Sequence, residues 1–229
     1  MTLIAPTDTG MRPDETLDEL RARLAPLVAA NAGFDGWSPK AVAMAAEQAG
    51  IDKDIAGLAF KDGAMAMIAA WFGAIDAVML ERLPAGTLAV MKIRERITAL
   101  VEARLTLLAP HREALRRAQA ILAMPNHVTQ AARLGWHAAD VMWRAAGDTA
   151  VDYNHYTKRA TLGAVYAATL LTFVNDESAD FAETRAFLAR RIEDIMRFEK
   201  AKARVTAQSD MHFSPARFLG RLRYRASQR

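Results

Sequence analysis

Residues 33–50 read GFDGWSPKAVAMAAEQAG, a glycine-containing turn followed by a short helix. Ser38-Pro39 is the pair typical of an N-cap and the first helical position, and Gly50 is suited to end the helix. An amphipathic helix with leucines at positions 17, 20, 24 and 27 precedes this stretch, and a short helix ending at Phe60 follows it. Helix, glycine-containing turn and helix are the elements of a helix-turn-helix.

Nearly all of the remaining chain also has helical character. Strong helix formers dominate it, and Pro84, Pro110 and Pro125 separate neighbouring apolar runs. No strand-like run of useful length is present. We therefore predict an all-α fold with nine core helices near residues 14–31, 39–49, 53–60, 63–83, 87–108, 111–123, 127–146, 153–175 and 179–204, and a C-terminal amphipathic helix near 215–225.

The composition and motifs of the chain exclude several kinds of catalytic and metal-binding site. The chain has 229 residues and no cysteine, which excludes disulfides, cysteine-ligated metals and a thiol nucleophile. No histidine lies three residues after a glutamate, as in di-iron bundles, and phosphate-binding loops and serine-nucleophile motifs are absent. His137 and Asp140 share a helix face, where we expect a surface contact rather than a metal site. We predict no catalytic activity, cofactor or metal; an enzyme with an unrecognised polar cluster is the alternative.

Charge is unevenly distributed. The formal net charge is +4, but residues 200–229 hold eight basic residues and one acid, against 22 basic and 25 acidic residues in the rest. A basic tail on a mildly acidic body favours a polyanionic partner for the tail. Residues 1–14 lack the features of a signal peptide, and the uncharged runs 63–75 and 160–175 are shorter than the ~20 residues of a spanning helix. We expect a soluble or peripheral protein.

Residues 160–175 form an apolar helix that we expect at the centre of the body. One stripe of it is small: Ala160, Gly163, Ala164, Ala167 and Ala168. Leu162, Tyr166 and Leu170 lie on its other faces. A small stripe lets another backbone approach closely or leaves room for a ligand, and residues such as Trp71 and Met142 would give an adaptable lining. An ordinary core and a ligand pocket both remain open.

Residues 140–159 concentrate polar and aromatic side chains. Gly147-Asp148 ends one helix, and Asp152 is placed to cap the next. The first turns after it hold Tyr153, His155, Tyr156, Thr157, Lys158 and Arg159. Tyrosine and arginine are enriched at interface hot spots, so this segment is either a well-capped helix start or a partner-binding surface.

The N-terminal unit resembles the DNA-binding domain of TetR-type repressors, including the aromatic turn before its second helix. The long helices behind it match that family's all-α ligand-binding body, so the resemblance implies a TetR-like fold. Its recognition helix, however, begins Asp52-Lys53-Asp54 and carries Gly57 but no base-reading amide. DNA affinity depends on neutralising phosphates, which the two acids oppose. We expect no nucleic-acid partner; a ligand-responsive TetR-type transcription regulator is the alternative function.

A second resemblance rests on a long mixed motif. It reads Trp143-x-x-Ala146-Gly147-Asp148, then Asp152-x-Asn154-x-Tyr156-Thr157-Lys158-Arg159, then Val165-Tyr166 and Asp176-x-Ser178. This is similar to the accessory lipid-binding protein family of ubiquinone (coenzyme Q) biosynthesis, and the similarity runs from about Trp37 to Arg191. His155 stands where eukaryotic members have tryptophan, and Lys158 replaces an arginine.

This resemblance implies a function and a set of sites. Family members have a TetR-like fold, bind isoprenoid lipids or ubiquinone precursors, present them to the di-iron demethoxyubiquinone hydroxylase, form homodimers and touch the membrane. Transferred to this sequence, the lipid-binding residues are Trp71, Met142, Leu162, Tyr166 and Leu170. The partner-binding residues are Met142, Trp143, Asp152, His155, Tyr156 and Arg159.

The C-terminal segment 214–225 reads SPARFLGRLRYR, a basic amphipathic pattern typical of a membrane interface. A helix docked on the body is the alternative. The residues predicted to bind an anionic membrane are Arg217, Phe218, Leu219, Arg221, Leu222 and Arg225.

Four parts of the chain are thus predicted. They are a flexible N-terminus at 1–13, a helix-turn-helix-like unit at 14–61, a lipid-binding and dimerisation body at 62–204, and a linker with a basic helix at 205–229. We expect the protein in the cytoplasm, peripheral on the inner membrane of a bacterium, or on the matrix side of that membrane in a eukaryote.

Overall fold

The computed structural model describes residues 10, 12, 14–149 and 153–210. These residues form ten α-helices and three short 3-10 helices, without a β-strand among them. The α-helices are α1 (Leu17–Asp35), α2 (Pro39–Ala49), α3 (Lys53–Ala59), α4 (Ala64–Arg82), α5 (Ala85–Ala89), α6 (Ile93–Leu108), α7 (Arg112–Leu122), α8 (Val128–Ala145), α9 (Tyr153–Asn175) and α10 (Ala182–Asp210). The all-α prediction is confirmed.

The predicted helix at 87–108 is two helices. α5 ends at Ala89 and α6 begins at Ile93. The backbone N–H of Lys92 donates to the Glu95 carboxylate at 2.9 Å, and this capping interaction starts a new helix where residue propensities favour continuation. Lysine is not a usual N-cap residue, so the sequence gives little sign of the break. The described residues therefore hold ten helices where nine core helices were predicted.

The helix α4 is central to the body. It packs against α1, α6, α7 and α8, and Ile68 and Trp71 are fully buried on it. The uncharged run 63–75 was too short for a spanning helix, but α4 as a whole, alone among the described helices, is long and apolar enough to cross a bilayer by length and composition, with a mean hydropathy of 1.6. The buried carboxylate of Asp76 lies within it and forms an ion pair with Arg104 of α6. These contacts make α4 the core helix of this fold.

An indole hydrogen bond joins the N-terminal helices to the body. Ser38 caps α2 and Pro39 takes its first position, as predicted. The preceding turn places Trp37 so that its N–H donates to the Ala114 carbonyl oxygen of α7 at 3.0 Å. Its ring also packs on Trp71, with centroids 5.3 Å apart. The predicted N-terminal unit is consequently part of one compact unit that extends to Ala189.

The helices α8 and α9 approach each other closely at two glycines. A Cβ added to Gly163 would lie 3.3 Å from the carbonyl oxygen of Gly135 and 3.9 Å from the Ala139 side chain. The small stripe predicted on α9 therefore does admit another backbone, since any larger side chain at Gly163 would push α8 away.

From Arg190 onward the chain forms a second compact unit. Helix α10 begins at Ala182 and extends to Asp210, so the linker predicted to begin at residue 205 is helical as far as Asp210, because residues 198–210 contain no glycine or proline to end the helix. An ion pair of 2.7 Å between Arg197 and Glu193 lies on its surface. Residues 1–9, 11, 13, 150–152 and 211–229 lie outside the described residues, as do most of the predicted flexible N-terminus and the predicted helix at 215–225.

We expect Gly163→Val to lower the free energy of unfolding by roughly 1–3 kcal/mol, because the branched side chain would meet the Gly135 carbonyl. Gly57→Ala is the matched control. A Cβ at Gly57 meets nothing within 4 Å, so this change should raise stability by about 0.5–1 kcal/mol. Urea unfolding followed by circular dichroism measures both. A Gly163→Val protein as stable as the wild type would show that the close approach does not constrain the helix pair.

Candidate functional site

A buried arginine joins the ends of α8 and α9. Arg159 is 2% exposed. Its Nε donates to Asp140 at 2.5 Å, and its Nη1 donates to Asp148 at 3.0 Å. Lys158 also donates to Asp148, at 2.7 Å. One cation is thus held between two carboxylates that the sequence separates by eight residues.

These contacts lower the pKa values of the Asp140 and Asp148 carboxyl groups. Burial by itself raises the pKa of Asp140, but hydrogen bonds from Arg159 and the nearby Arg144 outweigh it and hold that pKa below its ordinary value. Burial also opposes ionisation of Asp148, where the hydrogen bonds from Lys158 and Arg159 again lower the pKa. Both carboxylates are therefore ionised at neutral pH and stabilise the α8–α9 connection.

Trp143 reinforces the same connection. Its indole N–H donates to the backbone carbonyl of Lys158 at 3.1 Å, and the Lys158 ammonium lies 5.2 Å from the centre of its ring. The side chain is only partly exposed. Trp143 thus holds the first turns of α9 against α8.

Three rings form an aromatic patch on the outside of this helix pair: Trp136, His155 and Tyr156. The Tyr156 ring centre lies 6.1 Å from that of Trp136 and 5.1 Å from that of His155. Tyr156 is 61% exposed and Trp136 37% exposed. Two of its three rings, His155 and Tyr156, belong to the segment singled out in the sequence.

The predicted partner-binding residues occupy different environments. His155 and Tyr156 lie on the aromatic patch. Met142 is fully buried and Arg159 nearly so, which places both in the core of the helix pair. Trp143 is partly exposed, and Asp152 lies outside the described residues. Trp136 was not predicted, although it lies two turns before Trp143 on α8 and could have been found from that spacing.

An open groove of about 910 Å³ runs between α4 and α8. Its apolar lining consists of Met65, Ala66, Ala69, Ala132, Leu134 and Trp136. Its polar lining consists of Asp62, Thr129, Gln130, Arg133, His137 and Asp140. We call it the α4–α8 groove. Trp136 belongs both to this groove and to the aromatic patch, so the patch stands at the groove's edge.

A second groove, of about 250 Å³, lies between α7, α8 and α9, and we call it the α7–α9 groove. Of its fourteen lining residues only Gln119 and Tyr166 carry polar side chains. Gly163 and Ala167 of the small stripe line it, so the stripe also leaves free space. Leu134 lines both grooves. The two spaces therefore adjoin along α8.

The first half of α8 is loosely held. No residue from Val128 to His137 is buried, and Ala138 is the first buried residue of this helix. Close packing against α9 begins only around Gly135. The first half of α8 therefore borders the two grooves without filling them.

The predicted lipid-binding residues divide between groove and core. Tyr166 and Leu170 line the α7–α9 groove. Trp71, Met142 and Leu162 are buried and do not line either groove. The α9 helix is apolar on all sides, so its sequence does not indicate which side faces a groove.

A buried polar network crosses the body between the grooves. Arg104 of α6 is fully buried, is paired with Asp76 of α4, and donates from Nε to the Tyr166 hydroxyl at 2.9 Å. His137 faces the second oxygen of Asp76, with 3.8 Å between Nε2 and Oδ2. The sequence predicts a contact between His137 and Asp140. In the structure Asp140 is paired with Arg144 and Arg159, and the acidic partner of His137 is Asp76 of α4.

Metal ligands do not gather in the part of the chain that the structure describes: no three His, Asp or Glu side chains there cluster as a metal site would require. The predicted membrane-binding residues Arg217, Phe218, Leu219, Arg221, Leu222 and Arg225 lie outside that part.

Comparison with known proteins identifies a family and several proteins to which this chain is similar. The sequence model of the COQ9 family matches residues 128–199. The chain is 30% identical over 199 residues to the mitochondrial ubiquinone biosynthesis protein COQ9 of Homo sapiens, covering 83% of this chain and 63% of that protein. It is 32% identical over 167 residues to the Rattus norvegicus protein of the same name, covering 70% and 54%. The chain thus spans less than two thirds of the length of these relatives. The resemblance found in the sequence is confirmed.

The fold has a solved counterpart. A crystal structure of a TetR transcriptional regulator from Nitrosomonas europaea superimposes with a TM-score of 0.60, at 22% identity, over 76% of this chain and 96% of that one. At this identity the likeness shows the fold alone. The predicted TetR-like fold is confirmed.

We expect Asp148→Asn to lower the free energy of unfolding at pH 7 by about 1.5–3 kcal/mol, because it removes the charged acceptor of two hydrogen bonds. The folded state lowers the pKa of Asp148, so its contribution is complete above the ordinary carboxyl pKa and is lost as pH falls through the lower folded value. The difference between wild type and variant should therefore shrink below about pH 4.

Urea unfolding at several pH values measures this difference. Glu113→Gln is the control, since it removes an exposed pair with Arg117 that contributes only a few tenths of a kcal/mol. A wild-type advantage over Asp148→Asn that stays constant down to about pH 2 would contradict the assignment.

Proposed function

The chain is a relative of the COQ9 proteins of ubiquinone biosynthesis, and on that premise we propose that it is a non-enzymatic lipid-binding accessory protein of this pathway. It binds prenylated quinone intermediates at the membrane and presents them to the di-iron demethoxyubiquinone hydroxylase. The observation that carries this proposal is the pair of adjoining grooves along α8.

The two grooves suit a long amphiphile. The α4–α8 groove has a volume within the range of about 300–1,000 Å³ that small-molecule sites occupy. The α7–α9 groove continues past Leu134 as an almost wholly apolar space. An isoprenoid chain gains affinity by burying apolar surface, and the α7–α9 groove offers such surface. The loosely held first half of α8 would let a chain enter beside it.

The aromatic patch suits a protein partner. Exposed aromatic side chains are enriched at interface cores, and Tyr156 presents most of its ring to solvent. Because Trp136 also lines the α4–α8 groove, a hydroxylase docked on the patch would sit at the groove's edge. A bound lipid then has a short path to the partner.

The remaining parts of the proposal rest on sequence. The basic amphipathic segment at 214–225 would hold the protein on an anionic membrane, where each cation contributes about 1 kcal/mol. Homodimerisation follows from the family resemblance. The location would be the cytoplasmic face of a bacterial inner membrane, or the matrix face of the mitochondrial one.

The surface of α3 favours this function over transcription control. Asp52, Lys53, Asp54 and Leu58 are exposed on it, and none of the exposed residues is an arginine or an amide that would bind base edges. The two acids would face the DNA phosphates if α3 lay in the major groove. We therefore propose that the TetR-like fold serves lipid binding here and not DNA recognition.

We expect Leu134→Trp to reduce co-purified prenylated quinone by at least fivefold, because an indole at this position would fill the junction of the grooves. Mass spectrometry of lipid extracted from the purified protein measures the loss. Leu58→Trp, the same exchange on exposed α3, should leave the lipid unchanged. Equal lipid in all three proteins would argue against the grooves as the site.

We expect Tyr156→Ala to weaken pull-down of the hydroxylase by roughly thirtyfold, the effect of losing an aromatic hot spot of about 2 kcal/mol. Phe34→Ala removes an aromatic ring that is 85% exposed in the last turn of α1, and it should leave association unchanged. Binding of the Tyr156→Ala protein at wild-type affinity would rule out the aromatic patch as the docking surface.

A further inference from the structure

The buried network of Asp76, Arg104 and Tyr166 exceeds what packing requires. Arg104 is completely buried, and its guanidinium also lies 5.0 Å from the centre of the Tyr166 ring. A buried ion pair is commonly no more stabilising than well-packed hydrophobic residues in the same space. A protein that binds only an isoprenoid chain needs nothing more than an apolar core between the two grooves, so the buried polar groups need another explanation.

Four buried atoms of this network have no hydrogen-bond partner among the described residues: both carboxylate oxygens of Asp76, and Nη1 and Nη2 of Arg104. Asp76 is 6% exposed, and its Oδ1 is paired with Arg104. Its Oδ2 is buried and accepts no hydrogen bond from any described residue. His137 Nε2 faces that oxygen at 3.8 Å, an ion-pair distance beyond hydrogen-bond range. The imidazole is thus held opposite a buried carboxylate while its side chain remains 65% exposed.

His137 is one of the polar residues that line the α4–α8 groove. Trp136, its neighbour in the chain, lines the same groove with an aromatic ring. A planar ring that stacks on Trp136 can place a hydroxyl or carbonyl oxygen within reach of the imidazole, which donates from one nitrogen and accepts at the other when neutral. The carboxylate behind it would orient the imidazole.

Charge in the groove selects against an anionic ligand. Asp62 and Asp140 line it, and Asp76 lies behind His137. Arg133 is the lining arginine, and Asp140 is already neutralised by Arg144 and Arg159. A diphosphate headgroup would meet too few cations here. A neutral ring that forms hydrogen bonds avoids this repulsion.

We propose that His137, backed by the buried Asp76, is a headgroup-binding residue that hydrogen-bonds a hydroxyl or carbonyl oxygen of a neutral prenylated ring stacked on Trp136. This rests on the proposed function, since it assigns the ring end of the ligand to the α4–α8 groove and the chain end to the α7–α9 groove. Leu134, which lines both, is where the ring and the chain join.

Two probe molecules with the same isoprenoid chain distinguish binding of the headgroup from binding of the isoprenoid chain. A ubiquinone with two isoprene units carries the ring, and geraniol carries the same chain with a hydroxyl group in its place. Isothermal titration calorimetry gives the Kd of each probe for the full-length wild-type protein, for the His137→Phe variant and for the His137→Gln variant. His127→Phe is the matched control, because His127 is partly exposed and does not line either groove.

We expect His137→Phe to weaken quinone binding about tenfold, the effect of one lost hydrogen bond, while geraniol binding stays unchanged. His137→Gln, which keeps a donor and an acceptor, should recover most of the loss. The exposed position of His137 leaves folding intact. If His137→Phe weakens binding of both probes equally, or weakens binding of neither, the headgroup assignment is overturned but the proposed function stays in place. If the wild type binds neither probe, the proposed function fails and this inference fails with it.

Discussion

The close approach of α8 and α9 at Gly135 and Gly163 determines where free space remains in this protein. The backbones meet there. The second half of α8, from Ala138, contributes buried residues, whereas no residue from Val128 to His137 is buried. Both grooves border that first half. A larger side chain at Gly163 would meet the Gly135 carbonyl and separate the helices, whereas a Cβ at Gly135 meets nothing within 4 Å. One steric constraint thus fixes the core and the candidate site together.

The ion pairs of Arg159 act on the same two helices from the other end. They hold the first turns of α9 to α8, and with them the exposed ring of Tyr156. The residues of the motif that resembles the lipid-binding family therefore divide into two groups. Trp143, Lys158 and Arg159 build the helix connection, and Tyr156 is displayed by it.

Local chemistry made the helices predictable, and tertiary contacts made the site difficult to predict. Ser38-Pro39 identified the start of α2 because its cap lies within four residues. The break before α6 was missed, since Lys92 caps through its backbone. Asp76 and Arg104 are 28 positions apart on different helices, so no local pattern indicates their pairing. Two residues that the sequence predicts to bind a partner, Met142 and Arg159, are buried. An arginine or a methionine gives no sequence sign of its burial.

The orientation of the proposed ligand follows from the order of groups along α8. Leu134 borders the apolar groove, Trp136 borders the aromatic patch, and His137 faces the buried carboxylate. These residues occupy one turn, so a molecule with its ring at His137 and its chain beyond Leu134 must place the ring nearest the patch. A partner docked on Tyr156 would then meet the reactive end of the lipid first. In the proposed arrangement, carrying the ring at the groove's edge, rather than burying it among the core residues Trp71 and Leu162, would separate presentation of a lipid from its storage.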